Sequence, residues 1–306
     1  MMMYYFIVNP NAGSRKGMRC WEEIKPYLLE EGIVFRELLT KGEGDAARFA
    51  ERITEKGRPD VIVAVGGDGT LHETVSGMKK GTEAKLAFIP AGSGNDFARG
   101  MGYSKDPKER LRSILADENG AVINVGSTFA PDASGCFLVS SGIGYDARVC
   151  HMVNHAKTKK LMNRLHMGKL TYLGIGLRGL FAAELFAMRL VLDDSREEIF
   201  HDVLFASVHN LPYEGGGLKF SPDARPDDGF LNLCIVAGIS KAKMIRLLSR
   251  VPGGKHIGCP GVYSFRCRKA EFFMEKPQFF HMDGEVPGQS CHVTAEIGSE
   301  NLQILG

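Results

Sequence analysis

A chain of 306 residues has room for two domains, and its 44% apolar content supplies a core for each. Thirty-eight basic residues against 36 acidic ones leave a formal charge of +2, without the basic excess of a dedicated nucleic-acid binder. Seven scattered cysteines contain no CxxC pair and no run reaches the roughly 18 uncharged apolar residues of a membrane span, which disfavours zinc and a transmembrane anchor.

The opening MMMYYFIVNPNAG is apolar but short, lacks a basic leader and ends at Asn9 and Pro10. It reads as a first strand and not as a signal peptide. An odd number of irregularly spaced cysteines suits the reduced thiols of a cytoplasm. WEEIKPYLLEE places Trp21, Ile24 and Leu28 on one helical face, with Pro26 expected to kink or shorten the helix. VFRELLT is a second strand, and Asp45 is placed to cap a helix through Phe49, Ala50 and Ile53. VIVAV is a third strand, apolar throughout as a parallel strand covered on both faces should be. LAFIPAG is a fourth. Alternation of this kind implies an α/β layer around a parallel sheet.

Beyond about residue 121 the texture changes. AVINVGSTF, CFLVSSGIG, AMRLVLD, DVLFASVHN, FLNLCIVAG, VYSFRCRKAEFFM and CHVTAEIG are strand-like runs separated by turn residues. They imply a second, mainly antiparallel domain, with one helical insert from about Ala147 to Phe186 and another near 240–250.

Gly66-Gly67-Asp68-Gly69-Thr70 stands at the carboxyl end of the third strand, where ligands of open α/β sheets bind. Glycines let amide groups approach an anion, and a helix starting near Thr70 adds its positive end. A carboxylate facing phosphates repels them unless Mg²⁺ lies between, which makes Asp68 a candidate metal holder. The plainer account is a tight turn with an aspartate cap. Two further glycine loops share that end of the sheet: Asn9-Pro10-Asn11-Ala12-Gly13 and Ala91-Gly92-Ser93-Gly94-Asn95-Asp96. Three such loops suit a polyphosphate ligand, and without GxxxxGK[ST] this is no Walker-type loop.

GGDGTLHE, PAGSGNDFAR and NPNAG together resemble the diacylglycerol-kinase catalytic-domain family, in particular its soluble bacterial lipid kinases. Sphingosine kinases and NAD kinases are more remote relatives. SSGIGYDARV, HNLPYEGGGLKFSPDARPDDGFLNL and HMDGE extend the resemblance over most of the chain, in the family's order. It implies a three-layer α/β nucleotide-binding domain over residues 1–122 and a mainly antiparallel β-sandwich lipid-binding domain with a helical insert over 123–296. The tail 297–306 is expected to return to the first domain.

The resemblance also implies an ATP-dependent lipid kinase acting on a hydroxyl, with diacylglycerol the foremost acceptor and phosphatidate the product. ATP contacts carry over to Asn9, Pro10, Asn11, Ala12, Gly13, Thr40, Gly66, Gly67, Asp68, Gly69, Thr70, Leu71, His72 and Ser93. Asp68 carries over as the acid that organises catalytic Mg²⁺. Glu285, in Asp283-Gly284-Glu285, carries over as the general base, although related lipid kinases make the counterpart of Asp68 a contender. The two acids lie one in each expected domain, so an interdomain cleft is expected. A second, structural cation, Mg²⁺ or Ca²⁺, is implied at Asp228 with the carbonyls of Arg225 and Phe230. Without the resemblance, Asp227-Asp228-Gly229 reads as a turn. A cytoplasmic homodimer docking transiently on the inner membrane leaflet completes the expectation.

Other signals are weaker. Gly174 to Gly179 spells GxGxxG without a βαβ context, and close helix packing is the better account. Lys157, Lys159, Lys160, Arg164, Lys169 and Arg178 suit either a membrane-facing surface or a solvated helix face. His151, His155 and His166 lack firm metal spacing. Arg15 and Lys16 suit phosphate contact or simple surface charge. The alternatives to a lipid kinase are an NAD kinase-like enzyme and a non-catalytic lipid- or nucleotide-binding protein on the same scaffold.

Overall fold

The computed structural model describes residues 3–155, 179–180 and 183–306. His166, the basic residues between 157 and 178, and Gly174 and Gly176 of the GxGxxG run lie outside them. Two compact units emerge, one of Met1–Asn124 with Ser299–Gly306, the other of Val125–Gly298.

In the first unit, β1 (Tyr4–Val8), β2 (Phe35–Leu39), β3 (Val61–Gly66) and β4 (Lys85–Pro90) form a parallel sheet in the order β2-β1-β3-β4. The chain's last residues extend it, with Ile304 paired in parallel to Leu86. Alternate side chains of each strand serve opposite layers, as the two-residue strand period requires. Phe6, Val8, Val61 and Val63 pack on Trp21, Ile24 and Leu28 of α1 (Ala12–Glu30) and on Leu111 and Ile114 of α5 (Pro107–Ala116). Tyr5, Ile7 and Ile62 pack on Ala46, Ala50 and Ile53 of α2 (Asp45–Thr54), beside which α3 (Asp68–Gly77) lies. The three-layer expectation holds.

Two local expectations are corrected. Helix α1 runs through Pro26 to Glu30, and its non-helical residues are Gly13, Ser14 and Arg15 instead. Trp21 and Leu28 are both buried, and Trp21 also donates its Nε1–H to Glu37, so packing on either side of Pro26 holds the helix together. Asp45 is the first residue of α2 and not its cap: Gly44, at φ 81°, occupies the cap position. The Asp45 carboxylate instead accepts the amides of Lys41 and Gly42 and folds the loop ahead of the helix.

The second unit is antiparallel throughout its described pairings. β9 (Arg196–His209) pairs with β10 (Leu231–Ala237) on one side, and on the other with β7 (Ser140–Gly144) and β8 (Phe186–Leu192) in succession. β7 and β8 both lead on to β12 (Lys269–Met282), which forms a hairpin with β13 (Glu285–Leu305). β11 (Val262–Cys267) covers the edge of β10, and β5 (Ala121–Ala130) pairs with β6 (Ala133–Phe137). Phe137, Phe272, Phe280, Leu190 and Leu233 are among the fully buried residues of its core. VYSFRCRKAEFFM, read as one run, is two strands that part at Arg268. There the Asp193 carboxylate takes the amides of Arg268 and Lys269.

The first insert begins as α6 (Tyr145–His155), and Gly179 beyond it lies close to Met152 and Tyr145, as the packing account of that glycine expects. The helix expected near 240–250 is α7 (Lys241–Leu248).

Candidate active site

Strand order 2-1-3-4 makes β1 and β3 the pair at which the connections change direction, and the crevice between their carboxyl ends is where such sheets bind ligands. A cleft of about 280 Å³ opens there, lined by Asn9, Ala12, Gly13, Gly67, Gly69, Thr70, Glu73, Gly92 and Ser93. Asn9 Nδ2 donates to Thr70 Oγ1 at 3.1 Å and ties the first two loops together.

Glycine is needed at the walls for a physical reason. A Cβ on Gly92 would lie 2.5 Å from Gly67 Cα, so the second and third loops meet backbone to backbone. A Cβ on Gly13 would lie 2.3 Å from the Ala91 carbonyl oxygen, and this residue has φ +53°. Ser14 and Arg15 follow in the same left-handed region, at φ 58° and 71°, each at a cost of order 1–2 kcal/mol. Strain of this kind gathers in ligand-clasping loops. Gly67 caps α3 without any side chain, leaving the first turn of that helix to an incoming anion.

Asp68 opens α3 and reaches the third loop. Its Oδ2 accepts the Asp96 amide and its Oδ1 the Phe97 amide, both at 3.1 Å, so the carboxylate caps α4 (Asp96–Gly100). The cap foreseen as the plainer account is there, on a different helix. Asp96 is buried and its Oδ1 binds Arg99 at 2.6 Å.

Seven of the fourteen expected nucleotide residues line the cleft: Asn9, Ala12, Gly13, Gly67, Gly69, Thr70 and Ser93. Pro10, Asn11, Gly66 and Asp68 adjoin it in sequence. Thr40 is buried after β2, with its amide on the Val8 carbonyl. Leu71 is buried, and His72 turns along α3 towards Ser76. Gly92 was foreseen as part of the third glycine loop, whereas Glu73 was not foreseen. Glu73 stands one helical turn beyond Gly69, a spacing that could have found it, and it also accepts the Gly44 amide.

In the second unit Asp283 and Gly284, at φ 49° and 89°, form the two-residue turn between β12 and β13. Asp283 accepts the amides of Leu138, Val139 and Ser140. Glu285 follows, paired with Met282 and exposed. Beside this hairpin a buried histidine, His281, meets two partly buried acids that sequence reading missed. His281 Nε2 stands 3.4 Å from Glu214 Oε1 and 3.5 Å from Asp146 Oδ2, and Glu214 Oε2 stands 3.7 Å from His209 Nε2. SSGIGYD carried the one signal. A Cβ on Gly142 would lie 1.9 Å from Asp146 Oδ2, so that glycine makes room for the carboxylate.

Burial carries the Asp146 carboxyl up to about 6. Burial lowers His209 to about 4 and raises the Cys150 thiol to about 11.

At the implied second cation, Asp228 Oδ1 accepts the Phe230 amide and Oδ2 pairs with Arg266 Nη2 at 2.9 Å, with that guanidinium 4.0 Å from the centre of the Phe230 ring.

Comparison with known proteins decides the family. A model of the diacylglycerol kinase catalytic domain matches residues 3–127, and a model of the YegS C-terminal NAD kinase beta sandwich-like domain matches residues 138–306. The chain belongs to the diacylglycerol kinase catalytic-domain family. It is 32% identical to the candidate lipid kinase YtlR of Bacillus subtilis over 94% of each chain. It is 28% identical to a Mycobacterium tuberculosis diacylglycerol kinase, over 98% of this chain and 93% of that one.

Among solved structures, a Bacillus anthracis diacylglycerol kinase superposes with TM-score 0.75 at 23% identity, over 99% and 96% of the chains. An Archaeoglobus fulgidus NAD kinase in complex with ATP superposes with TM-score 0.55 at 13% identity, over 100% and 94%, a likeness of fold alone. This family member is therefore a phosphotransferase. Among its described residues no helix is long and apolar enough to cross a membrane.

Proposed function

We propose that this kinase transfers the γ-phosphate of ATP to a hydroxyl of diacylglycerol, yielding phosphatidate and ADP. The glycine-walled cleft at the β1/β3 crevice carries the reading, because its walls admit a polyphosphate and its helix end attracts one. The phosphates of ATP would lie against Asn9, Gly13, Gly67 to Thr70, and Ser93. Asp68 would hold Mg²⁺ at the mouth of the cleft, with Glu73 on the same wall. When bound, Mg²⁺ neutralises phosphate charge.

Glu285 acts as general base. It takes the hydroxyl proton as the lipid oxygen bonds to the γ-phosphorus and the bond to the β-phosphate oxygen breaks. Phosphoryl transfer asks for little more than this positioning and charge balance. In this reading the enzyme is cytoplasmic, meets the membrane from its surface and pairs as a homodimer. Its seven cysteines form no disulfide, which is consistent with that compartment.

The test offers γ-labelled ATP and Mg²⁺ with detergent-dispersed diacylglycerol, other lipid alcohols and NAD in parallel. Label in phosphatidate supports the reading. Label in NADP alone would replace it with the NAD kinase alternative.

A further inference from the structure

Asp146 and Glu214, partly buried, and the buried His281 bring one ligand atom each to within 4.8 Å of the others, close enough to suggest a metal site. The proton on His281 argues otherwise. The Gly284 amide points its N–H at His281 Nδ1, 3.2 Å away, and an amide N–H can only donate. Nδ1 therefore accepts, and the ring carries its proton on Nε2, facing the two carboxylates. A metal on Nε2 would move the ring's one proton to Nδ1, where it would face the Gly284 N–H. Metal-bound histidines instead donate their far N–H to an acceptor.

The arrangement is a strut. The ring is wholly buried over Gly142, where a Cβ would lie 2.6 Å from Nε2, and that nitrogen faces two acids from different elements, α6 and the loop after β9, at 3.5 and 3.4 Å. Its other nitrogen holds the amide of the second turn residue, one position before Glu285. We infer that His281 is a positioning residue: through Gly284 it fixes the hairpin that presents Glu285. The inference rests on the reading of Glu285 as base.

Two substitutions separate the two nitrogens. In His281→Asn the side-chain oxygen stands where Nδ1 stood and still receives the Gly284 N–H. In His281→Gln the amide nitrogen stands where Nε2 stood, and the Gly284 bond is lost. Steady-state kinetics with ATP and dispersed diacylglycerol are compared for wild type, both variants and Glu285→Ala, with a thermal midpoint for each.

The Gln variant is expected to lose about tenfold in kcat at unchanged KM for ATP, and the Asn variant to stay within about threefold of wild type. A Gln variant with wild-type kcat, or equal losses in both, would overturn the strut while leaving the function standing. Full turnover by Glu285→Ala would overturn the base assignment and the strut with it. Nitrogen NMR of histidine-labelled wild type is independent of variant folding. A protonated Nδ1 on His281, or loss of its Nε2 proton to a stoichiometric metal, contradicts the inference, and an Nε2–H tautomer supports it.

Discussion

His209 shows what one buried side chain does to the molecule. It is wholly buried, its Nε2 lies 2.8 Å from Ser207 Oγ, and burial lowers its pKa from 6.5 to about 4. An unfolded chain binds a proton there below about pH 6.5, whereas the folded one does so only below about 4. Stability linked to His209 is therefore present above pH 6.5 and lost as pH falls to 4, by at most ~3 kcal/mol. Asp146, raised to about 6, works the other way: the folded state holds its proton where the unfolded state has released it, so stability falls as pH rises from about 4 to 6. The two slopes oppose each other in wild type. Denaturant titrations from pH 4 to 7 are expected to show a flatter acid limb in His209→Gln and a steeper one in Asp146→Asn. Parallel curves for all three proteins would refute the assignment.

At the scale of elements, the helix starts carry the site. Helix α4 has five residues, too few to stand alone, and the Asp68 carboxylate caps it from the neighbouring loop. Asp68→Ala is expected to cost about 1–2 kcal/mol in urea unfolding as well as abolishing turnover, because both amides lose their acceptor. Asp68→Asn keeps one acceptor oxygen and should recover part of that stability without recovering turnover. A variant with wild-type unfolding would show that the cap contributes nothing.

The sequence made the cleft's walls legible because glycine-rich loops after apolar strands have a local cause, close backbone approach. It did not reveal that Asp68 reaches Asp96 and Phe97, since a bond across 28 residues leaves no trace in spacing. The row around His281 stayed hidden for the same reason: Asp146, Glu214 and His281 come from three distant segments. Pro26 misled because helix-breaking is a local preference that the packing of Trp21 and Leu28 overrides.

At the scale of the chain, the first unit is closed by the last residues. Arg110, buried to 1% exposure, donates Nε–H to the Phe88 carbonyl and Nη2–H to the Leu305 carbonyl, and its guanidinium lies 3.5 Å from the centre of the Tyr103 ring. Arg110→Ala leaves two buried carbonyls unpaired and a cavity beside Tyr103, so a loss of about 3 kcal/mol or more is expected. An unchanged thermal midpoint would contradict this. The return of the tail was readable only through the family resemblance, since nothing in NLQILG names β4 as its neighbour.

The central claim is that this kinase phosphorylates a lipid hydroxyl with ATP and that Glu285 takes the hydroxyl proton. The most direct measurement follows label from γ-labelled ATP into phosphatidate with wild type and Glu285→Ala, at saturating ATP and Mg²⁺. The account predicts transfer by wild type and a loss of about 100-fold or more in the variant, with ATP binding retained. Undiminished transfer by Glu285→Ala, or ATP binding by wild type with no phosphatidate formed, would contradict it.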